Sequence, residues 1–483
     1  MAATSDWLEM HRRFRPDAEA LFDASNDRRW TWAQLHEDSR RWAGVLQRSG
    51  VVHGDRVAVL AHNRGETFAL LFACAELGAV LFPMNWRLSR DELVWQLGHA
   101  EPRVVLVDRV HEQLGLGTHV IEEGPGDDPV DGPGSDLADP WVLMYTSGST
   151  GKPKGALLTH GQLHWNAVNT LLACDLTPAD ATLTFTPLFH TGGLNSLSTP
   201  LLHRGGRVVL TRGVDPAEAL RLIAAERVTL LMGVPTIFQM LADHPDFVTT
   251  DLTSVRDALC GGSALGATLL ERYLDRGIPL RQGFGMTEVG VNCFSMPHRS
   301  IRAKLGSVGL PIHHVDARLV RPDGTDCGPD EPGELLFAGP AVFGGYFRDP
   351  AATAAALRDG WFHTGDVLSR DADGYFSVRG RIKEMYKSGG ENVYPAEVEA
   401  ALQACPGVTL AAVVGVEDAK WGEVGHAWVE AAEGVTPADI LRSLDGRLAR
   451  FKLPKQISVV PALPRTASGK VDKPLLRRSM ESA

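Results

Sequence analysis

Residues 145–155 read YTSGSTGKPKG, concentrating glycine, hydroxyl and lysine directly after an apolar run at 141–144. Glycines let backbone amides approach an anion, hydroxyls add donors and lysines supply charge. Thr146, Ser147, Gly148, Ser149, Thr150, Gly151 and Lys154 together suit a polyphosphate. The pattern departs from a Walker A loop, which needs Gly-Lys followed by Ser or Thr. Here Pro153 follows Gly151-Lys152, and Thr146 stands where the first glycine belongs. Pro153 lacks an amide hydrogen and would interrupt a phosphate-capping helix. A flexible Gly/Ser linker is the plain alternative. The lysines, and a second apolar run at 156–158, disfavour it.

Further clusters follow along the chain. Residues 260–264 read CGGSA, with Gly262, Ser263 and Ala264 at its end. Residues 283–288 read GFGMTE. Phe284, between Gly283 and Gly285, has room to lie against a planar ring, while Thr287 and Glu288 add a hydroxyl and a carboxylate. A carboxylate beside phosphates suits Mg²⁺; a place in the first turn of a helix would suit Glu288 equally. In GWFHTGDV, 360–367, Asp366 suits a ribose diol as a double acceptor, with Arg381 assisting. Ser388-Gly389-Gly390 makes a turn poor in side chains, past which a narrow ligand can slide. Pro395 opens a helix whose first-turn acids, Glu397 and Glu399, are assigned to structure. In PRTASGK, 464–470, Gly469 forms a turn that projects Lys470.

The elements that must carry these groups alternate. Apolar runs at 56–60, 104–107, 182–185, 207–210 and 229–232 read as strands, with helices at 32–48, 67–77, 90–99, 216–226 and 267–276. Gly78 turns the second of these helices into a strand at 79–82. Such alternation predicts an α/β fold with parallel sheets and crossovers. Residues 125–140, rich in Gly, Pro and Asp, read as an exposed loop. From about 306 the texture becomes β-rich, with strands at 315–320, 333–337 and 375–378. A last α+β segment follows, with helices at 395–402 and 437–448 and strands at 410–416, 427–430 and 456–460. The expected organisation is a large N-terminal multi-sheet domain over 1–380, a hinge at 381–383 and a small mobile C-terminal domain over 384–483.

With 483 residues the chain exceeds one ordinary core. Its net charge of −11, without a basic block, argues against nucleic acid or an anionic membrane as main partner. Six scattered cysteines form no CxxC pair, which points to a reducing, cytoplasmic setting. No signal peptide or integral membrane segment is read, and monomer and homodimer both stay open.

TSGSTGKPKG, GFGMTE, HTGD, GRIKE…SGGENVYPAEVE and PRTASGK, in this order, resemble the adenylate-forming superfamily, over roughly Trp30 to Arg478. GGENVYPAEVE is closest to the acyl-CoA synthetase branch. The resemblance implies ATP and Mg²⁺ as reactants for adenylation of a carboxylic acid, then transfer of the acyl group to coenzyme A. It implies that residues 146–155 wrap the β- and γ-phosphates, Thr287 touches the α-phosphate and Glu288 holds Mg²⁺. Asp366 and Arg381 would take the ribose; Phe284 and the backbone of 261–264 would flank adenine. Lys470 would bridge the substrate carboxylate and α-phosphate, then leave by rotation about Lys383. Lys387, Ser388, Gly389 and Gly390 would line the pantetheine channel, and His190 would stand at the acyl–thiol junction. Tyr386-Lys387 departs from the two aliphatic residues of many relatives.

The acyl pocket is assigned to Thr191, Gly192, Gly193 and Phe238. These segments hold no arginine for a second carboxylate, so a dicarboxylate is disfavoured. A medium- or long-chain fatty acid is the expected substrate, with an aromatic carboxylate second. An enzyme loading a carrier protein, or a non-catalytic nucleotide or acyl binder, are the remaining alternatives; intact Lys470, Glu288 and Asp366 count against the last.

Overall fold

A computed structural model describes residues 7–126, 128–146, 153–262, 264–445, 447–466 and 470–481. The chain forms two compact units: 1–305 with 309–316 and 337–362, and 306–308 with 317–336 and 363–483.

The first unit holds two largely parallel sheets. One runs in the order Leu280–Gln282, Asp257–Cys260, Leu230–Gly233, Ala181–Thr184, Arg207–Leu210, Glu19–Asp23, Arg28–Thr31, with only the last strand antiparallel. The other runs His119–Val120, Val104–Val107, Arg56–Leu60, Val80–Pro83, Pro140–Thr146, Lys154–Thr159, again with an antiparallel last strand. Strands such as Val80–Pro83 and Val104–Val107 are buried throughout, as continuous apolar runs in parallel sheets should be. The helix Glu66–Leu77 is buried nearly all round and stops at Gly78, whose φ of +65° closes it without Cβ strain. The expected α/β architecture is therefore present.

Two local expectations change, and two strands were not anticipated. The loop at 125–140 is not merely exposed: Ser135 is buried and donates to the Ala75 carbonyl at 2.7 Å, and Gly134 N–H donates to Glu76 at 3.0 Å. Its glycines let backbone lie on the end of the preceding helix. The short strand Glu19–Asp23 and the edge strand Arg28–Thr31 beside it have no apolar run long enough to announce them. The helix expected over 437–448 is Pro437–Leu444, because Asp445 turns extended ahead of Gly446.

In the second unit, residues 366–370 of strand Trp361–Arg370 pair with Phe376–Arg381, and a further sheet runs Glu391–Val393, Tyr386–Ser388, Gly422–Ala431, Val408–Asp418. Gln456–Val460 joins Gly422–Ala431 in parallel. Alternation on Val408–Asp418 sends Ala411 and Val413 into a core with Tyr386, Val398 and Leu402, and Ala412 and Val414 into one with Trp428, Leu463 and Leu476. Tyr386 fills the first core, where a Cβ on Gly415 would lie 2.4 Å from its own. Tyr386, the aromatic member of the Tyr386-Lys387 departure, is therefore a core residue.

All six cysteines are free and buried. Among the described residues, no helix is long and apolar enough to cross a membrane.

Candidate active site

The glycine-rich segment joins two antiparallel strands, Pro140–Thr146 and Lys154–Thr159, with Thr146 opposite Lys154 and Tyr145 opposite Gly155. Pro153 thus leads into a strand and breaks no helix. Ser147, Gly148, Ser149, Thr150 and Gly151 lie outside the described residues, as does Ser263. At the rim, Thr146 Oγ1 donates to the Lys154 carbonyl at 3.4 Å, and His99 Nδ1 lies 2.6 Å from the Tyr145 hydroxyl. Lys154–Thr159 is an edge strand, covered by residues 345–347: Leu157 N–H donates to Gly345 and Phe347 N–H to Gly155, at 3.2 and 2.7 Å.

That covering segment delivers Tyr346. Its ring stands under the Lys154 ammonium, 4.8 Å from Nζ, and its hydroxyl donates to Glu288 Oε1 at 3.0 Å. Burial, then the Glu288 charge, pushes the Tyr346 phenol up, so it stays a donor. Glu288 itself is buried, and its carbonyl accepts from Phe343 N–H at 2.7 Å. Thr287 and Glu288 occupy the tip of a hairpin formed by Phe284–Met286 and Gly290–Ser295, not a helix start. The hairpin is possible because Gly285 has no side chain: a Cβ there would lie 1.9 Å from the Val291 carbonyl oxygen. Gln162 Nε2 donates to the Thr287 carbonyl at 3.1 Å and fixes the tip from below. Phe284 packs edge-on to Phe294, centroids 5.8 Å apart.

The remaining candidates of this unit leave the carboxyl ends of the seven-stranded sheet, where ligands bind in open α/β sheets. Gly261 and Gly262 follow Asp257–Cys260; Gly283 follows Leu280–Gln282, its N–H donating to Cys260 at 2.8 Å. The His190 loop follows Ala181–Thr184. Asn63 clamps that loop, donating to the Thr186 carbonyl and accepting from Leu188 N–H, each at 2.9 Å. His190 precedes a helix that continues through a π-turn at Leu194–Ser198. Met232 separates two small positions: a Cβ on Gly192 would lie 3.3 Å from its Cε, and one on Gly261 3.9 Å. Thr191 and Thr287 line one small cavity with Gln162, Asn166, Asn195 and Gly290. Gly193 lies tight on the Pro187 and Thr186 carbonyls, and Phe238 is fully buried, edge-on to Tyr273 at 5.4 Å.

In the second unit the register puts Asp366 opposite Arg381, whose Nε donates to Asp366 Oδ1 at 2.8 Å. Burial raises the Asp366 carboxyl; Arg381 and the charge of Lys470 pull it back only in part. Glu334 braces this HTGD segment, facing His363 Nδ1 at 3.1 Å and accepting Gly365 N–H at 3.1 Å. Gly389 and Gly390, at φ +62° and +89°, form a two-residue turn with both residues left-handed, joining Tyr386–Ser388 to Glu391–Val393. Gly389 N–H donates to Trp421 at 2.8 Å; Lys387 is exposed and Ser388 buried. Lys383 and Lys470 are exposed, and Thr466 N–H donates to the Lys470 carbonyl at 2.7 Å. Glu397 and Glu399 do serve structure, but by pairing Lys452 and Lys473 rather than by capping alone.

Tyr346, Gln162, Asn63 and Glu334 were missed in the sequence. Only GGYF at 344–347 carried a visible signal, an aromatic after paired glycines.

Two family descriptions match the chain: "AMP-binding enzyme" over residues 8–347, and "AMP-binding enzyme C-terminal domain" over 397–470. The protein belongs to this family of AMP-binding enzymes, within the adenylate-forming superfamily that its motifs resemble. It is 43% identical to a feruloyl-CoA synthase from Amycolatopsis sp., over 98% of each chain. It is 40% identical to an indoleacetate–CoA ligase from Aromatoleum aromaticum, over 98% of this chain and 97% of the other. Among solved structures, o-succinylbenzoate CoA synthetase from Bacillus subtilis with its acyl-adenylate intermediate has a TM-score of 0.89 and 33% identity, covering 99% of this chain and 98% of that one.

Proposed function

We propose that the protein is an aromatic-acid–CoA ligase. It is an acid–thiol ligase that forms AMP, using ATP, Mg²⁺ and coenzyme A. The observation that carries the aromatic reading is near-full-length similarity at 40–43% to ligases of feruloyl and indoleacetate groups. It replaces the fatty acid favoured on sequence alone. Met232 beside Gly192 and Gly261 supports it, since a thioether packs well on ring edges.

In the first half-reaction a carboxylate oxygen attacks the α-phosphorus of ATP, forming a mixed anhydride as pyrophosphate leaves. Both partners are anionic, so the protein must gather positive charge and donors. Lys154 and the 146–155 connection take the terminal phosphates, and Thr287 the α-phosphate. Glu288 would hold Mg²⁺, which would supply positive charge against the phosphates; the Tyr346 hydroxyl keeps that carboxylate oriented. Asp366 and Arg381 bind the ribose, Phe284 and the backbone at 261–264 flank the adenine, and Lys470 brings its ammonium to the reacting carboxylate. In the second half-reaction the thiol sulfur attacks the acyl carbon, AMP leaves with the bonding pair and the thiol proton passes to water. His190 stands at that junction, with Lys387, Ser388, Gly389 and Gly390 along the thiol's path and Thr191, Gly192, Gly193 and Phe238 around the acyl group. Lys470 withdraws as the segment beyond 381–383 turns about Lys383.

The test is an acid panel of ferulate, indole-3-acetate, 2-succinylbenzoate, octanoate and palmitate, scored by pyrophosphate release with and without CoA. Turnover of ferulate or indole-3-acetate well above octanoate and palmitate is expected. Palmitate as best substrate would overturn the aromatic reading, and a CoA requirement met only by a carrier protein would overturn the acceptor.

A further inference from the structure

We propose that Lys473 is a positioning residue for Lys470, tying the segment that bears it to Glu384 and Glu399. The proposal rests on the role given to Lys470 above.

Lys470 lies in a narrow hairpin, in which Arg465 bridges Val471 and Asp472 N–H donates to the Pro464 carbonyl at 2.8 Å. The hairpin runs straight into the helix Lys473–Glu481, started by Asp472, whose Oδ1 accepts Leu475 N–H at 2.9 Å. Lys473 is the first residue of that helix. A cation there opposes the helix dipole, so helix stability alone does not explain it.

Its ammonium instead lies 2.8 Å from Glu384 Oε2 and 2.8 Å from Glu399 Oε1, with the lysine side chain only 21% exposed. Glu399 is anchored in turn: the same oxygen accepts Val413 N–H at 2.8 Å. Glu384 immediately follows Lys383, the hinge candidate. The tie therefore joins the first residue beyond the hinge to the helix that continues from Lys470. Any turn about Lys383 carries Lys470 with it rather than being lost in slack chain. Burial by itself would lower the Lys473 ammonium; Glu399 and Glu384 more than offset this, so it stays charged. Lys470 also bears on Glu384, whose carboxyl is lowered, against burial, first by Lys473.

Because Lys473 acts through Lys470, its loss must hurt only the step that uses Lys470. Lys473→Met should slow adenylation on the order of tenfold to a hundredfold, the scale of a misplaced catalytic group. Adenylation is read as ATP–pyrophosphate exchange with ferulate, or with the fastest acid of the panel. Thioester formation from supplied acyl-adenylate and CoA should hold near the native rate, and Lys473→Arg should restore exchange. The double variant Lys470→Ala/Lys473→Met should be no slower than Lys470→Ala, as coupled residues are not additive. Multiplied losses, equal damage to both half-reactions, or a native rate for Lys473→Met beside a slow Lys470→Ala, would overturn the tie. Native exchange in Lys470→Ala would instead bring down the Lys470 role itself. Matching melting curves for Lys473→Arg and the native protein show that the rescue reports geometry rather than refolding.

Discussion

Replacing Tyr346 with Phe removes one hydroxyl and nothing else from the candidate site. The ring remains under Lys154, at 4.8 Å, so the cation–aromatic contact survives. Lost is the donor 3.0 Å from Glu288 Oε1, on a carboxylate that is 8% exposed and cannot turn to bulk water for a replacement. A hydrogen bond to a charged acceptor contributes about 1.5–3 kcal/mol. Groups that orient a metal ligand from behind are worth roughly 10–100-fold in affinity, about 1.4–2.8 kcal/mol, so the two scales agree. Tyr346→Phe should therefore raise the Mg²⁺ concentration for half-maximal pyrophosphate release by about 10–100-fold. The rate at saturating Mg²⁺ should recover most of its native value, because the variant misorients the proposed ligand without removing it. Unchanged Mg²⁺ dependence would refute the reasoning, as would a loss that excess Mg²⁺ does not repair.

Stability should fall on mild acidification. His160, stacked on Trp141 at 4.2 Å, is lowered by burial from 6.5 to about 4, and so is His203. The unfolded chain takes up these protons below about pH 6.5 and the folded one only near pH 4, so unfolding becomes easier as pH drops through that window. At pH 5 each histidine should cost about 2 kcal/mol, and His160→Phe should remove its share in chemical denaturation at pH 5 against pH 7.5. An equal pH slope in the variant would contradict this. Gly285→Ala should destabilise the protein by about 1–3 kcal/mol, because the added carbon meets fixed backbone. An unchanged thermal melt would show that the hairpin yields more readily than its geometry says.

The candidate residues stood out because each sits among glycines or prolines that mark an irregular backbone. Continuous apolar runs such as Val104–Val107 gave the parallel sheets for the same local reason. Groups whose role depends on distant pairing were not legible. Tyr346 reaches Glu288 only because residues 345–347 lie along an edge strand formed by Lys154–Thr159, and no local period announces that. Glu334 and Asn63 belong to ordinary apolar and turn contexts, and become braces only when folding brings His363 or Leu188 to them. The alternative of a helical turn at Glu288 failed because GFGMTE reads as a turn of either kind. The close approach of Gly285 to Val291 decides for a hairpin.

Sheet edges and the candidate chemistry are connected in both units. An exposed edge offers unpaired N–H and C=O groups that a protein must cover. In the first unit the edge strand Lys154–Thr159 is covered by 345–347, and the residue that does it, Tyr346, touches both Lys154 and Glu288. In the second, Val408–Asp418 is the edge; its Val413 N–H is satisfied by Glu399, which also holds Lys473. Covering an edge fixes a side chain from two directions at once, by backbone pairing and by its polar tip, so such residues make rigid supports for charged groups. Substitutions that disturb these covers should therefore impair chemistry before they impair folding. Gly345 is the sharpest case: at φ +139°, a Cβ would meet Thr353 Cγ2 at 2.6 Å, and displacing that backbone displaces Tyr346 with it.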